Sequence, residues 1–154
     1  MNEIIRFHDS PAVAIVRVLR GSWRQNPEPL TISAEELSSI APLLLQTGAG
    51  ALAWRRVQSL ELAGEKSFLD LKNAYRCQSI EAAIHQFNVR DAFKRARQTA
   101  VEPILLKGWA LAHRYPDDAL RPYGDIDLWL RPSDLHRLQQ ALPVFGEHTY
   151  CVET

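Results

Sequence analysis

Apolar positions recur at helical spacing through the first hundred residues and switch to alternation after Pro103. Ser10-Pro11 reads as an N-cap followed by a proline at the first helical position, and Gly21 closes that segment. Arg24 to Thr31 contains Pro27 and Pro29 and reads as a loop. Ser33-Ala34-Glu35-Glu36 fits a capping box, with Leu37, Ile40, Leu43 and Leu44 following at helical steps. Gly48 and Gly50 mark a break, and Ala51 to Leu62 reads as the next helix, ending near Gly64. From about Glu65 to Thr99 neither Gly nor Pro interrupts the chain. There Cys77, Ile80, Ile84 and Phe87 fall at steps of three, four and three, which predicts one core-facing stripe with Cys77 in it. Glu81, Arg90, Asp91, Lys94, Arg95 and Arg97 suit the solvated sides. A helix of about 35 residues is long against a mean near 11 to 12, so a kink or break is allowed for.

Beyond Pro103 the short apolar run Ile104-Leu105-Leu106 ends at Lys107-Gly108, as a buried strand entering a turn would. Trp109 to Tyr115 is a short helix stopped by Pro116, and Asp117 to Gly124 is loop. Ile126, Leu128 and Leu130 alternate with Asp125, Asp127 and Trp129, the period of two of a strand. Pro132-Ser133-Asp134 opens a further helix through about Ala141, and Val144 to Val152 reads as a third strand. Strand, helix, strand, helix, strand begins an α/β sheet layer. The expectation is an α+β chain: a helical region over residues 1–100, then a sheet-bearing core over 101–154. So thin a sheet also raises the expectation of a fragment or truncated form of something longer.

Composition narrows the function classes. The chain has 154 residues, 46% hydrophobic and 23% charged, which is the balance of a folded globular protein. Lys plus Arg equals Asp plus Glu at 18 each, so no global field draws in nucleic acid or anionic lipid, and any polyanion site is local. Arg6, Arg17 and Arg20 break up the N-terminal apolar residues, against a signal peptide. No stretch approaches the roughly 18 apolar residues of a membrane span. The two cysteines, Cys77 and Cys151, have no metal-binding or disulfide spacing, and a reducing cytoplasm is the expected compartment.

Gly124-Asp125-Ile126-Asp127-Leu128 carries the chemistry. Residues two apart on a strand share a face, so Asp125 and Asp127 project together while Ile126 and Leu128 enter the core. Two carboxylates about 6 to 7 Å apart repel each other. Mg²⁺ would remove that penalty, with phosphate oxygens completing its octahedron. Taken alone, the pair also suits the exposed face of an edge strand. Lys107-Gly108, between a strand and a helix, adds backbone N–H groups and a positive charge suited to phosphate. By itself that dipeptide is an ordinary turn with a surface lysine. Its value comes from the aspartates that follow. Gly124 leaves the backbone near a ligand free of side chain.

The string LLKGWALAHRYPDDALRPYGDIDLWL resembles the signature of the uncharacterised bacterial nucleotidyltransferase-like family of the polymerase-beta superfamily. The residues that carry the resemblance are Leu105, Leu106, Lys107, Gly108, Tyr115, Arg121, Asp125, Ile126, Asp127 and Leu128. The resemblance implies a partial nucleotidyltransferase-fold mixed β-sheet against the helical region. It further implies Mg²⁺-dependent transfer of a nucleoside monophosphate from an NTP to an unidentified acceptor hydroxyl, with a two-metal site possible. Asp125 and Asp127 match the metal ligands of that family, and Gly108 matches the first position of its phosphate turn. The second turn position is Trp109, with no hydroxyl, so Lys107 or Arg121 is expected to supply the phosphate contact. For Arg121 the plainer alternative is a pairing with Asp117 or Asp118. A third carboxylate is usual in the superfamily; Asp134, Glu147 and Glu153 are the residues available, and Asp134 suits a helix cap instead. The alternative function is a catalytically inactive nucleotide- or protein-binding module with the same fold.

Other signals point to structure. Gly21-Ser22 is a helix stop. The histidines at 8, 85, 113, 136 and 148 have no metal spacing and read as surface or locally paired residues, with His113 nearest the signature. Arg55-Arg56 and Lys94-Arg95-Arg97 have the look of solvated helix faces, and nucleic acid is not the expected partner.

Overall fold

Local chemistry sets the first elements as the sequence reads. In the computed structural model, which describes residues 10–141, the Ser10 hydroxyl accepts from the Val13 amide at 3.4 Å and starts helix α1, Pro11–Leu19. Gly21 ends that segment at φ +69°, a conformation that costs glycine nothing. Helix α2, Ala34–Gln46, opens on a complete capping box: Glu36 N donates to Ser33 Oγ at 3.1 Å and Ser33 N to Glu36 Oε2 at 3.0 Å. The Ser33 amide, followed by the Arg17 guanidinium, holds the Glu36 carboxyl below its ordinary pKa. Helix α3, Gly50–Val57, starts where it presses on helix α4, Lys66–Gln98; a Cβ on Gly50 would stand 2.9 Å from the Ala74 methyl. Strand β1, Ile104–Leu106, leads through helix α5, Lys107–Ala112, to strand β2, Asp127–Trp129. A 3₁₀ turn over Pro132–Asp134 then enters helix α6, Leu135–Ala141. The fold is α+β.

Two compact units divide the described residues. The first holds those through Ala82 together with Ala112–Pro122; the second holds Ala83–Leu111 and those from Tyr123 onward. In the first unit Val18, Leu37, Ile40, Leu44, Val57 and Leu71 are buried in one cluster, with Trp54 and Phe68 edge to face at 4.9 Å. The Arg55-Arg56 pair is not a solvated face. Arg55 donates to the carbonyls of Ser22, Arg24 and Gln25, and buried Arg56 donates to Val18 O at 3.2 Å. Both cations satisfy carbonyls at and just beyond the end of α1, where the helix leaves acceptors without donors. Helix α3 ends at Val57 rather than Leu62, because exposed Gln58 and Ser59 have no apolar contact to continue it and the chain turns.

In the second unit β1 and β2 pair antiparallel, with Ile104 opposite Trp129, Leu105 opposite Leu128 and Leu106 opposite Asp127. The pleat sends Leu105 and Leu128 to one face, and Leu128 and Leu130 pack on the buried Ala96, Val101 and Leu138. Ile104, Leu106 and Trp129 share the other face and are exposed, at 52%, 40% and 57%. β1 is therefore not the buried strand its composition implies; among the described residues only one side of the sheet is covered. The third strand read over Val144 to Val152 lies outside the described residues.

Helix α4 is unbroken over its 33 residues, but its covered stripe is not the one the apolar spacing picks out. Ile80, Ile84 and Phe87 are 63%, 57% and 70% exposed, and Cys77 is an exposed free thiol rather than a core residue. The positions that α4 buries in the second unit are His85, Val89, Ala92 and Ala96, at steps of four, three and four. Two stripes at helical spacing coexist, and the one with small and mixed side chains is covered. No helix among the described residues is long and apolar enough to cross a membrane.

Candidate functional site

The antiparallel register decides what meets what. Because Leu106 lies opposite Asp127, the residues that follow Leu106 emerge beside those that precede Asp127. Lys107 turns the chain out of the strand at φ +44°, a left-handed conformation that costs a side-chain-bearing residue about 1 to 2 kcal/mol. Its ammonium stands 3.4 Å from Asp127 Oδ1. Gly108 then takes φ 17°, ψ −111°, outside helical geometry, so the regular turn of α5 starts only at Trp109, and α5 stops at Ala112 rather than Tyr115. A Cβ on Gly108 would come within 3.5 Å of the Asp125 carbonyl oxygen and 3.8 Å of Tyr123 Cβ. The turn and the Asp125–Asp127 segment are thus in direct contact, within one unit.

Asp125 itself precedes the strand, since β2 begins at Asp127. It is exposed, while the Asp127 side chain is 31% exposed, shielded on one side by β1. Gly124 is exposed with nothing within 4 Å of a Cβ built on it, so sterics alone do not demand glycine there. Arg121 belongs to the first unit, half-buried. The two carboxylates upstream of it are engaged locally: Asp117 accepts from Tyr75 Oη at 2.5 Å and from Ala119 N at 2.9 Å, and Asp118 faces His113 Nδ1 at 3.0 Å. His113 is accordingly a locally paired residue.

His85 is the member of this site that composition and spacing did not reveal. It is 7% exposed, not a surface residue, and its ring meets Tyr123 edge to face at 4.6 Å. Burial holds its pKa below the ordinary value, and the charge of Asp125 pulls the other way. The one available signal was its place in the Val89, Ala92, Ala96 stripe.

The donor set is two carboxylates and one ammonium. Among the described residues no three His, Cys, Asp or Glu side chains gather into a metal-binding group. Asp134 is paired with Arg137 three residues on, and Glu147 and Glu153 lie outside the described residues. Hard oxygen ligands in pairs suit Mg²⁺, which is commonly held by one or two carboxylates with phosphate oxygens supplying the rest.

A family model described as an uncharacterised nucleotidyltransferase matches residues 33–152. No curated protein and no solved structure matches the chain.

Proposed function

The chain belongs to this uncharacterised nucleotidyltransferase family, and from that premise we propose that it transfers a nucleoside monophosphate from an NTP to an acceptor hydroxyl, with Mg²⁺ held by Asp125 and Asp127. One observation carries the reading: the Lys107-Gly108 turn abuts the Asp125–Asp127 segment, with Lys107 3.4 Å from Asp127. When bound, the cation would neutralise the triphosphate and stabilise the entering and leaving oxygens of an in-line displacement.

The chain's own residues supply the rest. Asp125, just before β2, and Asp127, its first residue, provide oxygen donors two residues apart. Lys107 offers an ammonium that pairs with Asp127 in the free protein and turns to the phosphates as they arrive. That exchange keeps charge balanced, since one cation replaces another beside Asp127. Gly108 brings backbone close to Asp125 without a side chain between them. Trp109 cannot supply the hydroxyl of a usual phosphate turn, which leaves Lys107 as the polar side chain of the turn.

Calorimetry with Mg²⁺ and each NTP tests the proposal. Binding by the wild type that disappears in the Asp125→Asn, Asp127→Asn double variant supports it. Equal binding by that variant, or none by folded wild type, rules it out. A second reading, a catalytically silent nucleotide-binding module, draws support from the two-carboxylate donor set among the described residues. Metal-dependent NTP binding without release of pyrophosphate in the presence of any hydroxyl acceptor would favour it.

A further inference from the structure

The second unit holds another concave feature, on the other side of the sheet. A cavity of about 520 Å³ lies along α4, lined by Arg90, Phe93, Lys94, Arg97, Leu105 and Trp109, among others. The pleat separates it from Asp127: Leu105 lies on the face it shares with Leu128, whereas Asp127 shares the opposite face with Leu106. The volume is that of a small-ligand site, in a range of about 300 to 1,000 Å³.

Its chemistry is one-sided. Every charged side chain lining it is a cation, in a chain whose net charge is zero. Arg90, Lys94 and Arg97 stand at steps of four and three on one helix face. Arg90 and Lys94 form no ion pair within the described residues, while Arg97 is held by Glu102, with Nη2 2.6 Å from its carboxylate. Arg97 also lies 5.7 Å from the Phe93 ring centroid, so that cation and ring form one wall. Trp109 contributes the other flat ring. The bulky residue that displaces the small or hydroxyl side chain of a phosphate turn thereby gains a place: it walls a groove.

We propose that this groove binds a nucleotide, free or as a unit of a single strand, with Arg90 and Lys94 on its phosphate and Phe93 and Trp109 against its base. Unpaired cations meet a phosphate by charge-assisted hydrogen bonds, and aromatic faces stack any base. Carboxylates are absent from its lining, so it needs no metal.

The test uses the full chain in EDTA, which removes any contribution of Asp125 and Asp127 through Mg²⁺. A fluorescein-labelled single-stranded oligonucleotide is titrated by anisotropy, and AMP and inorganic phosphate are added as competitors. The expected result is binding that Arg90→Ala with Lys94→Ala weakens on the order of 10-fold or more and makes less salt-dependent. Displacement by AMP identifies a one-nucleotide site; binding resistant to AMP, yet lost in the double alanine variant, identifies the strand as the source. Phosphate competing as well as AMP overturns recognition of the base. No binding by folded wild type to either AMP or oligonucleotide, or undiminished binding by the alanine variant, overturns the proposal. Phe93→Leu, which keeps an apolar side chain there, reports on stacking without removing charge.

Discussion

Tyr75 donates its phenolic hydrogen to Asp117 at 2.5 Å, linking α4 to the Ala119–Leu120 turn within the first unit. Asp117 is already held by the Ala119 amide, so the contact joins two ordered groups and little entropy opposes it. Tyr75→Phe should cost about 1 to 2 kcal/mol, since the acceptor is charged and the site half-buried. That hydrogen bond to Asp117, with burial next, raises the tyrosine pKa above its ordinary value. Stability from the raised group is present below pH 10 and is lost as pH rises through the folded value. Urea unfolding should therefore show the wild-type advantage over Tyr75→Phe at pH 7 shrinking above pH 10. A variant as stable as wild type at pH 7 would deny the bond any net value.

Lys107 carries a strained backbone and a proposed ligand contact at once, and glycine separates the two. Lys107→Gly relieves the φ +44° conformation and should be more stable than Lys107→Ala by about 1 kcal/mol. The exposed ion pair lost with Asp127 contributes only about 0 to 1 kcal/mol. Both variants should lose triphosphate affinity alike, because both lack the ammonium. Thermal unfolding and NTP titration together check this. Unequal affinities that follow stability would mean that the turn acts through folding alone.

The two outcomes for α4 show what one sequence can and cannot reveal. Its length and continuity were legible, since no Gly or Pro interrupts it. Which face it buries was not. Ile80, Ile84 and Phe87 outrank Ala92 and Ala96 in apolarity, yet the alanines are covered, because burial depends on what neighbouring elements bring, not on the helix alone. The capping box at Ser33 and the Ser10-Pro11 start were legible because a cap is a local bargain between a side chain and the next turn. Adjacency of Gly108 and Asp125 came from the antiparallel register of β1 on β2, which the alternation of Ile126, Leu128 and Leu130 does not set, since a period of two fixes faces and not the partner strand. His85 stayed hidden, as the Val89, Ala92, Ala96 stripe it belongs to is less apolar than the Ile80, Ile84, Phe87 stripe beside it.

That correction has a measurable consequence. Ile84→Gln and Phe87→Gln should each change stability by no more than about 0.5 kcal/mol, as surface substitutions do. Leu71→Ala on the same helix, fully buried, should cost about 2 to 5 kcal/mol. Chemical denaturation of the three variants decides between the stripes. A large loss in Phe87→Gln would restore that face to the core.

Acid should act on the second unit through His85. The unfolded chain takes up a proton on this ring near its ordinary pKa of 6.5, whereas the buried ring resists until lower pH. As pH falls below 6.5 the unfolded state therefore gains a proton that the folded state lacks, and stability declines until the folded ring is protonated as well. Each unit by which burial lowers the pKa removes about 1.4 kcal/mol at the acid end. Carboxylates add their own acid loss, but His85→Gln shares it, so the difference between wild type and variant isolates the ring. Between pH 7.5 and 5.5 the wild type should lose more stability than His85→Gln. Asp125 supplies an opposing attraction, so Asp125→Asn should steepen the wild-type decline. Parallel pH profiles for all three chains in urea would mean that His85 is protonated in the folded state as readily as in the unfolded one.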